Sequence, residues 1–238
     1  MPEKTVQKEP GKKPAPSKKP KPQQEVVVQI PLSELHPFPD HPFQVREDAS
    51  MQETAESVKE YGVLVPALAR PREDGGYELI AGHRRKHACE LAGLATMPVI
   101  VRDIDRDVAT IIMVDSNLQR ENILPSERAF SYKMKLEAMK HQGQRKDLTS
   151  EQFAPKLSTE IIGEAVGMSK DTVKRYIRLT NLIPEILDMV DEKKIAFNPA
   201  VELSYLKPSE QKEFLEAMDY AQASPSLSQA QRLLIPVT

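Results

Sequence analysis

The residues best suited to do chemistry run from Glu78 to His87, where the apolar stretch Leu79-Ile80-Ala81 enters Gly82 and then the cationic His83-Arg84-Arg85-Lys86-His87. That order suits a phosphate group. Glycine lets the backbone approach a ligand without a Cβ in the way, helix-start N–H groups point outward unpaired, and two adjacent arginines supply forked donors. The same arginines also fit an ordinary solvated helix start, so the surrounding chain has to decide. A second cationic set lies at 158–182, where a short apolar helix, a glycine turn, a serine cap and an amphipathic helix follow one another with helix-turn-helix spacing. Here Ile161, Ile162, Ala165 and Val166 are expected to pack on Val173, Ile177 and Leu182, with Gly167 forming the turn and Ser169 capping the second helix. The outer face would display Lys170, Thr172, Lys174, Arg175 and Arg178. Residues 156–178 hold five cations against three acids in a chain of net charge −2, so positive charge is concentrated where a polyanion would bind.

These residues need elements to hold them. Val26–Ile30 alternates like a half-buried strand, and the proline-punctuated 36–46 reads as a loop. Ser50 with Glu53 forms a capping box for a helix carrying Met51, Ala55, Val58 and Tyr61, which Gly62 ends. Residues 63–69 and 77–81 read as strands around a Glu73-Asp74-Gly75-Gly76 turn, 83–92 as a helix closed by Gly93, and 97–101 as a further strand. From Asp107 onward the pattern is helical, first with Val108, Ile111, Ile112 and Val114. A second helix starts at Pro125 and Ser126, carries Ala129, Phe130, Met134 and Ala138, and stops near Gly143. A last helix is expected around 209–223, with Phe214, Leu215 and Met218 as its core.

Composition bounds the rest. The 238 residues are 39% hydrophobic, 29% charged and 5% aromatic without tryptophan, which fits one or two small helix-rich domains rather than an all-β protein. Residues 1–25 hold seven lysines, three glutamates and six prolines with no apolar periodicity, and read as a disordered basic tail. No run approaches the ~18 apolar residues of a membrane span, and the N-terminus lacks the apolar segment of a signal peptide, so the expected location is the cytoplasm. The single cysteine, Cys89, excludes an internal disulfide and a cysteine zinc site, and reads as core.

The order of motifs resembles the ParB partition proteins, with their RepB-like and Noc-like branches, over roughly residues 26–206. Pro42-Phe43-Gln44-Val45-Arg46 is similar to that family's first box, Ile80-Ala81-Gly82-His83-Arg84-Arg85 to its glycine and double-arginine box, and Asn117-Leu118-Gln119-Arg120-Glu121 to its third. The resemblance implies an α+β fold: a sheet-and-helix, sulfiredoxin-like N-terminal domain over 26–106, then an all-helical DNA-binding domain over 107–207, with 208–238 a C-terminal helix and tail. It implies CTP with Mg2+ as cofactors and a clamp that nucleotide closes on a palindromic, centromere-like site in double-stranded DNA. Gln44, Arg46, Gly82, His83, Arg84, Arg85, Asn117, Gln119, Arg120 and Glu121 then fall at the nucleotide, with Asn117 at the metal. Ser169, Lys170, Thr172, Lys174, Arg175 and Arg178 fall at the DNA. Also implied are a homodimer on DNA, a ParA-type ATPase partner and association with the nucleoid.

Three departures bear on function. His83 stands where the family usually has an acid and Ser116 where it usually has the glutamate implicated in hydrolysis, so CTP binding survives the comparison better than CTP turnover. Asp115, one position earlier, is about 100° of helix rotation away. Members usually carry a separate C-terminal dimerisation domain, whereas this sequence ends at Thr238 after one candidate helix. Other chemistries fit less well: a sulfiredoxin-like redox site needs a cysteine where Gly82 stands, a nuclease needs paired carboxylates where only Glu78 and Glu90 occur, and His83 with His87 lacks a third zinc ligand. A transcription regulator with the same helix-turn-helix and no role in segregation remains open.

Overall fold

The computed structural model describes residues 25–120, 122–146, 154–221 and 229–230. Its first part is a mixed sheet of five strands: β1 (Val27–Pro31), β2 (Leu35–Pro37), β3 (Ala67–Pro71), β4 (Tyr77–Ala81) and β5 (Thr96–Val101), in the spatial order β1-β5-β3-β4-β2. Helix α1 (Ala49–Tyr61) precedes β3, and α2 (His83–Leu91) carries the chain from β4 to β5. The β3 and β4 strands form an antiparallel hairpin, while β2 lies parallel to β4 and β3 parallel to β5.

Several local details differ from the sequence reading. In β1 only Ile30 is buried, and Val27 and Val28 stay exposed, because this is an edge strand paired only with β5. The proline-rich 36–46 is not all loop: Leu35–Pro37 is the opposite edge strand, where a proline is tolerated because one side of the backbone has no strand to bond. Asp48, not Ser50, caps α1, its carboxylate accepting from Met51 N at 2.9 Å. The strand expected from Val63 begins at Ala67, since Gly62 (φ 71°) turns the chain away from the helix and 63–66 crosses to the sheet with Leu64 and Val65 exposed.

Alternation along β4 sends neighbours to opposite faces. Leu79 packs with Met51, Val58, Ala88, Cys89, Met97 and Val99 under α1 and α2. Ile80 packs on the other side with Phe38, Phe43, Ala109, Met113 and Val114, the last three from α3 (Arg106–Leu118). The helical part is thereby built onto the back of the sheet.

It continues with α4 (Pro125–Lys146), α5 (Ala154–Val166), α6 (Lys170–Arg178), α7 (Pro184–Asp191), α8 (Phe197–Leu203) and α9 (Pro208–Ala221). Helix α4 runs past Gly143, whose cost of about 1 kcal/mol in a helix interior does not end it. Its buried side is Ala129, Tyr132, Lys135 and Ala138 at helical spacing, leaving Phe130 exposed. Helices α7 and α8 were not foreseen, although Pro184 opens α7 in the position proline favours. Helix α9 is anchored by the fully buried Gln211, whose Nε2 donates to the carbonyls of Asn181 and Leu206 while its Oε1 accepts from Ile183 N. Met218 is buried there, with Phe214 and Leu215 packed beside it. Among the described residues no helix is long and apolar enough to cross a membrane.

Candidate functional site

The turn from β4 into α2 is built around Gly82, at φ 111° and ψ 18°. A Cβ there would sit 2.8 Å from the Cβ of Ala67 on β3, so no other residue fits without moving the sheet. No side chain caps α2. Its first-turn amides therefore have no side-chain partner, in a helix whose first residues are cationic, an arrangement that suits an anion.

Around this turn the chain assembles positive charge from α2 and from the segment that follows α3. Arg84 donates to Ser50 Oγ at 3.2 Å and lies 3.7 Å from Asp48. Arg120, just beyond the end of α3, is close enough to Arg84 that burial first, and then the Arg84 charge, hold its guanidinium below its ordinary value, with Glu127 opposing. Arg85 donates through one Nη1 to the carbonyls of Val65 and Pro66, both at 2.6 Å. His83 stacks on His41, ring centroids 3.9 Å apart. Burial, together with His41, Arg120 and Lys86, pulls the His83 imidazole down to about 3, so it is neutral at physiological pH. His41 is also lowered, chiefly by burial, and its Nδ1 lies 2.8 Å from the Phe43 carbonyl, which makes that nitrogen the donor. The Nε2 atoms of both histidines are buried without a partner.

His41 and Glu127 escaped the sequence reading. The buried Glu127 receives Gln44 N through Oε1 and Leu124 N through Oε2, each at 3.0 Å, and so ties the first box to the start of α4. The only hint in the sequence was an acid three residues after Leu124, the spacing of a carboxylate that reaches back to a helix start. Gln44 and Arg46 lie on the exposed loop before α1. Asn117 is buried, with Nδ2 committed to the Met113 carbonyl at 2.9 Å, which leaves Oδ1 as the acceptor end. Gln119 is placed elsewhere, lining a cleft of about 460 Å³ with Asp115, Arg128, Tyr132 and Met168 between α3, α4 and α5. Glu121 lies outside the described residues. Among the described residues no three His, Cys, Asp or Glu side chains gather to hold a metal ion. His87 instead lies within 3.4 Å of Glu47 and 3.3 Å of Glu90, and Glu78 is engaged by Arg70 at 2.5 Å. Cys89 is fully buried and burial raises its thiol, which disfavours the reactive thiolate.

The second cationic region is α5 with α6. Gly167 (φ 67°) ends α5, and Met168 N closes back on the Gly163 carbonyl at 2.8 Å. Gly163 is the glycine this packing depends on, since a Cβ there would come within 2.5 Å of the Met168 carbonyl, whereas one on Gly167 meets nothing. Ser169 caps α6, its Oγ accepting from Thr172 N at 3.1 Å and lying 2.9 Å from Thr172 Oγ1. Ile162 and Val173 are buried against Tyr132 of α4, with Val166 and Ile177 beside them. Ile161 and Ala165 face outward instead, and Leu182 joins a different cluster under α7 to α9, because α4 occupies the place between the two helices. Lys170 and Lys174 are exposed, in contact with Glu160 at 2.9 Å and Asp171 at 3.5 Å. Arg175 donates to Asn198 Oδ1 at 2.5 Å and lies over Phe197 of α8. Arg178 is not on the outer face: its guanidinium stacks 3.7 Å from the Tyr205 ring, it donates to the Ser204 carbonyl, and its Nε is buried.

The fold is a sheet-and-helix part, with an uncapped helix start at α2, joined to a helix-turn-helix part. The ParB N-terminal domain matches residues 16–118 and the ParB HTH domain residues 121–232, and the chain belongs to the ParB family. It is 36% identical over 195 residues to the chromosome-partitioning protein Spo0J of Thermus thermophilus, covering 80% of this chain and 65% of that one. It is 33% identical over 184 residues to the stage 0 sporulation protein J of Bacillus subtilis, covering 77% of this chain and 59% of the relative. The chain thus spans less than two thirds of the length of either. A solved Pnob8-like ParB-N domain shares the fold, with a TM-score of 0.51 at 16% identity over 84% of this chain and 85% of that one.

Proposed function

We propose that this chain is a partition protein that binds a palindromic, centromere-like DNA site through α6 and is gated by CTP at the β4–α2 turn. It would act as a homodimeric clamp on the nucleoid, with a ParA-type ATPase as its partner. The observation that carries this reading is the shared helical pair α3 and α4. Arg120 follows α3, Glu127 of α4 binds the first box, and the same α4 packs against Ile162 and Val173 of the helix-turn-helix. An anion at Gly82, Arg84 and Arg120 would therefore bear on the elements that hold α6.

In that reading Arg84 and Arg120 balance triphosphate charge and the first-turn amides of α2 donate to its oxygens. Magnesium fits a site with one hard protein oxygen, Asn117 Oδ1, the remaining ligands coming from phosphates and water; bound there it would neutralise phosphate charge. Turnover is not part of the proposal. The Ser116 hydroxyl donates to its own helix at Met113, and Asp115 is paired with Lys135, so neither offers a base for water. Lys170, Lys174 and Arg175 would face the DNA, with Ser169 and Thr172 at the helix start and Arg178 holding α6 onto Ser204 and Tyr205 just beyond α8. Chromatin immunoprecipitation tests the role: occupancy spreading over kilobases around one site is expected, and a single sharp peak would mark a local transcription regulator instead.

A further inference from the structure

Arg85 is anomalous among the arginines of the first module. Burial lowers its guanidinium, yet among the described residues no carboxylate pairs with it. Among the described residues its hydrogen-bond partners are two neutral carbonyls, Val65 and Pro66, and its Cζ stands 3.4 Å from the place a Cβ on Gly82 would occupy. A half-buried cation held by neutral oxygens keeps most of its charge uncompensated, and an anion is a stronger partner for the same fork than two backbone carbonyls. The carbonyls occupy the hydrogen-bonding positions that phosphate oxygens would take. In the loop supplying them, between Gly62 and Ala67, Val63 packs against the sheet core, but Leu64 is 78% and Val65 63% exposed, so little apolar packing holds its middle down.

We infer that Arg85 is a latch: in the ligand-free protein it pins the 62–66 loop across Gly82, and a phosphate group arriving at the α2 start takes Arg85 away and frees the loop. Loop release is then a direct report of the site being filled. The inference rests on the nucleotide reading above, and adds to it the conformational element that the ligand moves.

The test uses the full chain with Cys89→Ala and Leu64→Cys, a nitroxide on position 64, and labelled CTP whose uptake is followed by equilibrium dialysis in the same samples. The expected result is a label whose rotational correlation time shortens by about twofold or more on saturation with CTP. In Arg85→Ala the label is expected to be mobile already without nucleotide, and in Arg85→Lys, whose shorter side chain reaches the two carbonyls less well, to be intermediate. A label on Glu56→Cys in α1 should not respond, and circular dichroism checks that each variant is folded. Saturable CTP uptake with a label that stays the same or slows overturns the latch and leaves the nucleotide reading intact. An immobile label in folded Arg85→Ala also overturns it. No uptake either with or without cognate DNA overturns the nucleotide reading, and the latch with it.

Discussion

Two glycine turns in this chain lead into cationic helices, and they are built in opposite ways. At Gly82 the helix start has no side-chain cap, the glycine is demanded by contact with Ala67, and the arginines are turned inward onto Ser50, Val65 and Pro66. At Ser169 the hydroxyl satisfies one of the free amides, that of Thr172, and Lys170 and Lys174 stand outward. A helix start left open beside partly buried guanidiniums suits a small anion that can enter and replace protein contacts. A capped start with exposed cations suits an extended polyanion that stays on the surface. The two cationic turns thus differ in capping and burial, not in charge.

This contrast can be broken one turn at a time. Gly163→Ala drives a Cβ to 2.5 Å from the Met168 carbonyl and should cost about 2–3 kcal/mol in chemical denaturation, with loss of DNA affinity. Gly82→Ala forces a side chain to φ 111° against Ala67 and should cost about 1–3 kcal/mol, abolishing CTP uptake while site-specific DNA affinity remains. Lys174→Ala and Arg175→Ala leave CTP uptake intact and weaken specific DNA binding by about 1–3 kcal/mol where the side chain reads a base, or reduce the salt slope by about one where it meets a phosphate. Unchanged operator affinity in both would remove α6 from the interface. His83 separates the turns by pH. Its folded pKa of about 3 lies below the ordinary 6.5, so the unfolded chain takes up a proton first, and stability that is full above about 6.5 declines as pH falls toward 3. His83→Gln should flatten that decline in urea titrations, whereas no α6 substitution should. Smallest is Arg178→Ala, which loses the Tyr205 stack and should lower stability by about 0.5–1 kcal/mol without changing the salt slope of DNA binding.

Much of the scaffold was readable because it follows local rules. Gly62, Gly93 and Gly167 end helices where the apolar spacing stops, and Ser169 caps α6. What escaped depends on partners distant in sequence. Nothing near Pro37 signals pairing with Leu79, and nothing near Glu127 signals Gln44. Asp48 and Ser50 both offer capping oxygens, and only the path of the preceding loop selects Asp48. In the site, the arginines of the second box were legible as cations, but that Arg84 turns to Ser50 and Arg85 to the Val65 and Pro66 carbonyls was not. Arg178 continues the charged stripe of α6 in sequence and is withdrawn from it by Tyr205, on a segment more than a turn of chain beyond. His41 looked like one more loop residue until its ring met His83.

The most direct test of the account is equilibrium dialysis of the full chain against labelled CTP, with and without cognate DNA, for the unaltered protein, Arg84→Ala and Arg175→Ala. Saturable uptake that disappears in Arg84→Ala and persists in Arg175→Ala is the predicted result. Absence of saturable uptake with and without DNA, or uptake indifferent to Arg84, would contradict the assignment of the Gly82 turn as the nucleotide site.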